Sequence, residues 1–292
     1  MASQASPSGT PMIRSRRQRR IARENCAMAE VLQEGLVEFV NRFRQPPAPG
    51  VEVIQTSRYR VTLQPDYPIP GPNSASWVRA PASEADDVIR EVRKIFGSRD
   101  LPFMWILDPD TEPVDFPDLL AAHGSLPEPH SPEVAVMVLG IGSPIEAPSI
   151  PGLMLHDALA DAELFAQADA VNAEAFHDSA RDAGPRERRR RDMLAAGNRL
   201  VLLATIAGEP AGSAGLTLYP PASAIINGGA VREKFRGRGV YRALVAERLR
   251  MAREAGVAGL SVWGGPMSAP ILQRLGFQKV GWRRFYLDEG PN

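Results

Sequence analysis

Hydrophobic positions along this chain switch repeatedly between a helical and a strand period. Met28, Val31, Leu32, Leu36, Phe39, Val40 and Phe43 recur every three or four residues, which predicts a helix with one apolar face that Pro46 and Pro47 end. Arg58–Leu63 alternates polar and apolar residues, a strand signal. Val88, Ile89, Val92, Ile95 and Phe96 mark a second helix, closed by Gly97. Phe103–Leu107 and Val134–Leu139 are short apolar strands, with a helix at Asp118–His123 between them. The first half is therefore expected to be mixed α/β with its own core. Ser143–Gly152 carries three prolines and no period, and reads as a linker.

Beyond it the pattern predicts a strand (Leu153–His156), a helix (Ala160–Phe176) and a basic helix (Arg186–Ala196). Strands at Leu200–Ala207 and Ala211–Tyr219 form a hairpin that turns at Gly208-Glu-Pro210. The Ala224–Val231 strand leads into a helix whose Val240, Leu244, Val245, Leu249 and Ala252 share one face, with Gly256 as its C-cap. A strand (Leu260–Trp263), a helix (Ser268–Leu275) and a last strand (Gln278–Leu287) follow.

Chemistry concentrates where the Ala224–Val231 strand passes into that helix, through Arg232-Glu-Lys-Phe-Arg-Gly-Arg-Gly239. Gly237 and Gly239 let the backbone come close to a ligand. Unpaired amides and the dipole at a helix N-terminus favour an anion, and Arg236 and Arg238 add full positive charge. The segment is suited to a phosphate. A Walker-type loop is excluded because no Gly-Lys-Ser/Thr ends it, and the dinucleotide fingerprint fails because Arg242 stands at its third glycine.

Val231-Arg-Glu-Lys-Phe-Arg-Gly-Arg-Gly-Val-Tyr241 resembles the coenzyme A loop of the GNAT acyltransferase superfamily, whose pattern is Gln/Arg-x-x-Gly-x-Gly/Ala. Arg236 and Gly239 satisfy it, and Tyr241 replaces the final small residue. Ala269-Pro-Ile-Leu-Gln-Arg-Leu-Gly-Phe277 is similar to the helix ending in Leu-Gly-Phe near the GNAT C-terminus. The resemblance covers roughly residues 150–292, and the order of elements there (β-α-α-β-β-β-α-β-α-β) matches the family. It implies a GNAT acyl-CoA N-acyltransferase fold, an α/β fold with a mixed sheet. The first half lacks such a loop, and its layout is similar to the degenerate amino-terminal half of tandem GNAT proteins. The implied division is a basic leader (1–23), a degenerate GNAT-like domain without coenzyme loop (24–148) and a GNAT catalytic domain (149–292).

By that resemblance, backbone N–H groups of Arg236, Gly237, Arg238, Gly239, Val240 and Tyr241 would cradle the pyrophosphate of acetyl-CoA, the acyl donor. The backbone at Ala230, Val231 and Arg232 would run beside the pantetheine. The acceptor implied is a primary amine of a small molecule or protein, with no metal. An acceptor ammonium must lose a proton. The Ala224–Val231 strand has no Glu or Asp, where many family members place a base. Glu174, His177 and Asp178 end the preceding helix, and His177 is the preferred base because its intrinsic pKa, near 6.5, suits neutral pH. A solvated histidine at the helix end, near the C-terminal dipole, is the reading that competes with this role. The family's tyrosine acid falls at Leu272, which has no proton to give, leaving Tyr241, Ser268 and Tyr286 as the hydroxyls nearest in sequence. Ser268 also suits an N-cap.

Composition narrows the alternatives. Thirty-four basic residues balance thirty-four acidic ones, which argues against a general nucleic-acid binder. The leader carries six arginines and no acid before Glu24, and would touch nucleic acid only if it is more than a disordered tail. Cys26 is the only cysteine and the four histidines (His123, His130, His156, His177) are scattered, so neither a disulfide nor a Cys/His metal site is expected. No apolar run is long enough to span a membrane and the start lacks a secretory core, so a cytoplasmic enzyme is expected, with homodimerisation left open. The competing expectation, raised by Leu272 and the missing strand carboxylate, is a non-catalytic acyl-CoA-binding or regulatory module.

Overall fold

The computed structural model describes residues 35–44, 46, 50–176 and 182–288. The basic leader, Cys26, the start of the first helix, His177 and Asp178 lie outside the described residues. Seven helices and twelve strands are described. In the first half these are helix α1 (35–42), strands β1 (Glu52–Gln55), β2 (Arg60–Leu63) and β3 (Ser74–Ser76), helix α2 (Ala85–Gly97), β4 (Phe103–Leu107), α3 (Phe116–Ala122), β5 (Leu126–Pro127) and β6 (Glu133–Gly140). The second half contributes β7 (Leu153–Asp157), α4 (Ala162–Phe176), α5 (Ala183–Ala196), β8 (Arg199–Ile206), β9 (Glu209–Tyr219), β10 (Ser223–Val231), α6 (Val240–Glu254), β11 (Gly259–Gly264), α7 (Ala269–Arg274) and β12 (Gln278–Asp288).

All twelve strands form one mixed sheet, ordered β1-β2-β3-β4-β12-β6-β11-β10-β9-β8-β7, with β5 also on β12. The last strand of each half has crossed over. β6 lies between β11 and β12, while β12 pairs with β6 through Gln278–Arg284 and then with β4 through Arg284–Asp288. A cut between 148 and 149 therefore divides the chain but not the sheet. β6 is apolar on both faces (Val136, Met137, Val138, Leu139, all buried), as a central strand must be. The far end of β12 is held in the first half by a buried charge. Asp288 accepts from Arg93 Nε (3.0 Å), Trp105 Nε1 (3.0 Å) and Ser125 Oγ (2.8 Å).

Neighbouring residues on β8 show how the second half is layered. Leu202 joins Ala211, Phe235, Val240 and Leu244 on the α6 face, while Leu203 joins Phe165, Ala168 and Val171 on the α4 face. Asp161 starts α4, its carboxylate accepting from the amides of Glu163 (2.8 Å) and Leu164 (3.0 Å). In the first half, Val88, Ile89, Val92 and Phe96 of α2 pack on Val61, Phe103 and Trp105.

Several expectations need correction. The β8–β9 hairpin turns at Ala207-Gly208, both at positive φ (51° and 82°), so that Ile206 pairs with Glu209 and Pro210 lies within β9. Gly97 is the last residue of α2 and not its cap; Ser98 follows, its amide bonded to Lys94 O. The supposed linker is a strap along α6. Arg253 donates to Ile141 O (2.9 Å) and Ser143 O (2.7 Å), Arg242 donates to Glu146 O (3.0 Å), and Ile145 and Ile150 pack into the second-half cores.

Candidate active site

The site begins where two parallel strands separate. β10 is nine residues long, yet only Ala224 and Ile225 pair with β11. From Ile226 onward, the β11-side edge of β10 diverges from its neighbour and opens a wedge. Its other edge stays paired with β9 as far as Val231, apart from a bulge between Asn227 and Gly229. A bulge leaves its extra residue out of the ladder, so Gly228, at φ 38°, presents backbone to the wedge.

The wedge runs into the mouth of α6. A short 3-10 turn (Glu233–Phe235) is pinned by buried Phe235, over whose ring Arg238 and Lys234 lie at 5.5 and 5.2 Å. Gly239 then opens the helix at φ 86°. A Cβ there would approach Pro148 Cγ at 2.9 Å, so both conformation and the strap demand glycine. The first turn of α6 contains no acidic residue, and its leading amides have no carbonyl one turn earlier to bond. Arg236, exposed, donates to Val231 O (3.3 Å) and folds its charge back towards the strand end.

Tyr241 faces the wedge from above. Its ring edge would come within 2.6 Å of a Cβ on Gly229, so the bulky residue of the loop and the missing side chain of the strand fit each other. Two turns on, Arg248 is wholly buried, donating to Leu244 O (3.0 Å) and Gly215 O (3.4 Å) while its Nη2 finds no partner. Burial pulls its pKa below the ordinary arginine value, and the Tyr241 hydroxyl opposes that shift.

On the opposite face of the sheet lies a cavity of about 210 Å³ that reaches Asn227 and Gly228. Its walls include Asp169 and Asn172 from α4, Arg189 and Met193 from α5, and Arg199 and Thr217 from β8 and β9. Asp169 is buried and paired with Arg189 at 2.8 Å. Asn172 donates to Ser213 Oγ (3.1 Å) while its buried Oδ1 has no donor. Asn227 donates to Thr217 Oγ1 at 2.7 Å. The wedge and the cavity thus meet at the bulge from two sides of the sheet.

The residues expected from sequence are distributed unevenly around this point. Arg236 to Tyr241 form the helix mouth together, and the backbone of Ala230 and Val231 edges the wedge. The Arg232 side chain is occupied, 2.9 Å from the Glu174 carboxylate and donating to Pro210 O at 3.3 Å. Ser268 stands at the N-cap of α7 but makes no side-chain cap. Its backbone is already helical (φ −89°, ψ −33°), and Oγ donates instead to Gly265 O at 3.3 Å. Leu272 is fully buried, its Cδ1 against Gly264. Tyr286 is displaced by the strand exchange and packs against the first-half core. Asp169, Asn172, Arg199 and Thr217 escaped sequence reasoning, because each sits singly on a different turn or strand. Among the described residues no group of three or more His, Cys, Asp or Glu is placed to hold a metal ion, and no helix is long and apolar enough to cross a membrane.

Of the comparisons with known proteins, the family model falls on the same half. Residues 165–277 match the family model described as "Acetyltransferase (GNAT) family". No curated protein matches the chain. Among solved structures, a GCN5-related N-acetyltransferase from Kribbella flavida is similar over 91% of this chain and 95% of its own, with TM-score 0.64 and 18% identity. A tandem GNAT protein from the clavulanic acid biosynthesis pathway covers 88% of each chain at TM-score 0.59 and 16% identity. A GCN5-related N-acetyltransferase from Sphaerobacter thermophilus covers 80% of this chain and 82% of its own, at TM-score 0.59 and 17% identity. The wedge and helix mouth fall inside the matched segment, and the fold likeness extends over both halves. Residues 165–277 thus match a GNAT acetyltransferase domain, and the chain as a whole has the fold of GNAT N-acetyltransferases, a tandem GNAT protein among them.

Proposed function

We propose that the protein is an acetyl-CoA-dependent N-acetyltransferase acting on a primary amine, with donor and acceptor meeting at the β10 bulge. The observation that carries this reading is the unpaired edge of β10 leading into an acid-free, arginine-flanked helix mouth. A diphosphate seats on the amides of Gly237 to Tyr241, and the pantetheine amides pair with the open strand edge at Ala230 and Val231, as an added strand would. The thioester then lies beside Gly228, whose out-of-ladder amide is available to its carbonyl oxygen.

The acceptor enters from the cavity on the other face. Its ammonium first gives up a proton to a base. Asp169 is the one carboxylate among the described residues that line the cavity, and it takes that role directly or through a water, with His177 as the alternative base. The amine lone pair forms the C–N bond, the C–S electron pair leaves on sulfur, and the proton released from nitrogen goes to base or solvent. Tyr241, at the wedge, returns a proton to the thiolate. Ser268 is set aside from this role because its hydroxyl is directed to Gly265 O. Holding both reactants at one bulge accounts for up to roughly 7–11 kcal/mol of the barrier in well-aligned cases.

Thiol release from acetyl-CoA, followed across a library of amines, tests the reading. Amine-dependent release, lost in Gly237→Glu and retained in Gly237→Asn, is expected, since both variants share the backbone strain at φ 73° and only one adds negative charge. A second reading, a non-catalytic acyl-CoA-binding module, is favoured by the burial of Leu272 where the family places its acid. Saturable coenzyme binding without release on any amine would support it.

A further inference from the structure

We infer that the acceptor carries an anionic group as well as its amine, and that Arg199 binds that anion; this rests on the N-acetyltransferase reading above. The inference comes from the charge balance of the cavity. Among the described residues, two guanidinium groups, Arg189 and Arg199, line it against a single carboxylate, Asp169. Arg189 and Asp169 neutralise each other at 2.8 Å. The side chain of Arg199, the first residue of β8 and only partly exposed, makes no hydrogen bond or ion pair with any described residue. Its charge opposes the rise that burial imposes on the pKa of Tyr219.

A partly buried cation without a counter-ion is an unfavourable arrangement unless something supplies the anion. The surrounding helix does not. α5 presents Arg186, Arg188, Arg189, Arg190 and Arg191 against Glu187 and Asp192, and Glu187 is already bound by Arg190 (2.9 Å), which holds its carboxyl below the usual range. The rim therefore draws anions towards the cavity and repels polyamines.

The cavity also holds a complementary demand for a donor. Asn172 Oδ1 is buried without one and lies 3.7 Å from the Cβ position of Gly228, at the bulge where the amine must arrive. An N–H donor satisfies it. Arg199 pairs with Thr217 across β8 and β9, and Thr217 pairs with Ile225 of β10, so Arg199 stands two strands, roughly 10 Å, from the bulge strand. The arginine side chain spans much of that distance. Amine and anion are then separated by a chain of few bonds, as the 210 Å³ volume also requires. A carboxylate and a phosphate both meet this description.

The test uses the full-length protein and four matched amines: 4-aminobutyrate, O-phosphoethanolamine, butylamine and 1,4-diaminobutane. With acetyl-CoA as donor, kcat/KM for at least one of the two anionic amines is expected to exceed that for the neutral and dicationic ones by about tenfold or more, and the better of the two identifies the anion. Arg199→Gln is expected to erase that preference and leave the dissociation constant for acetyl-CoA unchanged. A preference for butylamine or diaminobutane, or an anion preference that survives Arg199→Gln, overturns the inference. Calorimetric binding of the same amines to the coenzyme-loaded protein supplies a readout without turnover. Arg199-dependent binding of an anionic amine with no thiol release on any acceptor would sink the enzymatic reading alone, and loss of coenzyme binding in wild type would do the same. Absence of Arg199-dependent anion binding in a protein that turns over other amines would sink this inference alone.

Discussion

The two halves place the same elements in the same order around their parallel strand pairs, yet only one carries the features on which the proposed coenzyme site rests. In the second half β10 parts from β11 after two paired residues, and α6 opens behind Arg236-Gly-Arg-Gly239 without an acid in its first turn. In the first half, β3 pairs with β4 along its whole length, Ser74 to Ser76, so no wedge forms. The helix after it, α2, has Glu84 at its N-cap position and Asp86 and Asp87 in its first turn, and Glu84 is bound to Arg58 at 3.2 Å. One helix mouth repels a diphosphate, whereas the other attracts it. On the proposed reading, coenzyme binding follows strand splay and a few charges, and the shared architecture alone does not confer it.

The largest effect should come from disturbing what joins the halves. Replacing Asp288 by Ala leaves Arg93, Trp105 and Ser125 without their shared acceptor, and loss of one member of a buried pair costs about 3–5 kcal/mol. Because β12 completes both halves, urea unfolding monitored by tryptophan fluorescence and by coenzyme binding should shift together. Separate transitions would mean that the halves fold independently despite the exchange.

Next comes the seat of Tyr241. Gly229→Ala places a methyl 2.6 Å from its ring, and overpacking of this kind costs about 1–3 kcal/mol. Combining it with Tyr241→Ala should recover part of the stability measured by urea titration. A double variant as unstable as the sum of the singles would disconnect the two residues. Installing the family's tyrosine by Leu272→Tyr should likewise lose about 1–3 kcal/mol without raising turnover, because Leu272 is sealed in the core against Gly264. A rise in kcat would show that the position reaches the thioester after all.

How much of this could be read in advance depended on range. The helix mouth was legible because Arg236 to Tyr241 are contiguous and turn chemistry is local. The hairpin was legible but displaced, because Pro210 and Gly208 signal a turn while Ala207 at positive φ does not. The strand exchange was not legible. The apolar runs of β6 and β12 specify buried strands, and nothing in them names the neighbour. The cavity escaped for the same reason, since Asp169, Arg199 and Asn227 come from elements far apart in sequence and only the fold brings them together. Ser143–Gly152 reads as a linker because its hydrogen bonds to α6 run through backbone carbonyls, which leave no pattern in residue types.

The smallest effect expected concerns single charges at the exposed mouth. Arg238→Gln should weaken acetyl-CoA binding by only a few fold, in keeping with about 0.3–1 kcal/mol for a charge at an exposed helix end, and less so in high salt. A loss of a hundredfold would mean that Arg238 is itself a principal phosphate ligand.

Calorimetric titration of the intact protein with acetyl-CoA tests the contrast between the halves most directly. The account predicts one equivalent bound, abolished by Gly237→Glu and untouched by Glu84→Gln in the first half. Two equivalents, or full affinity in Gly237→Glu, would contradict it.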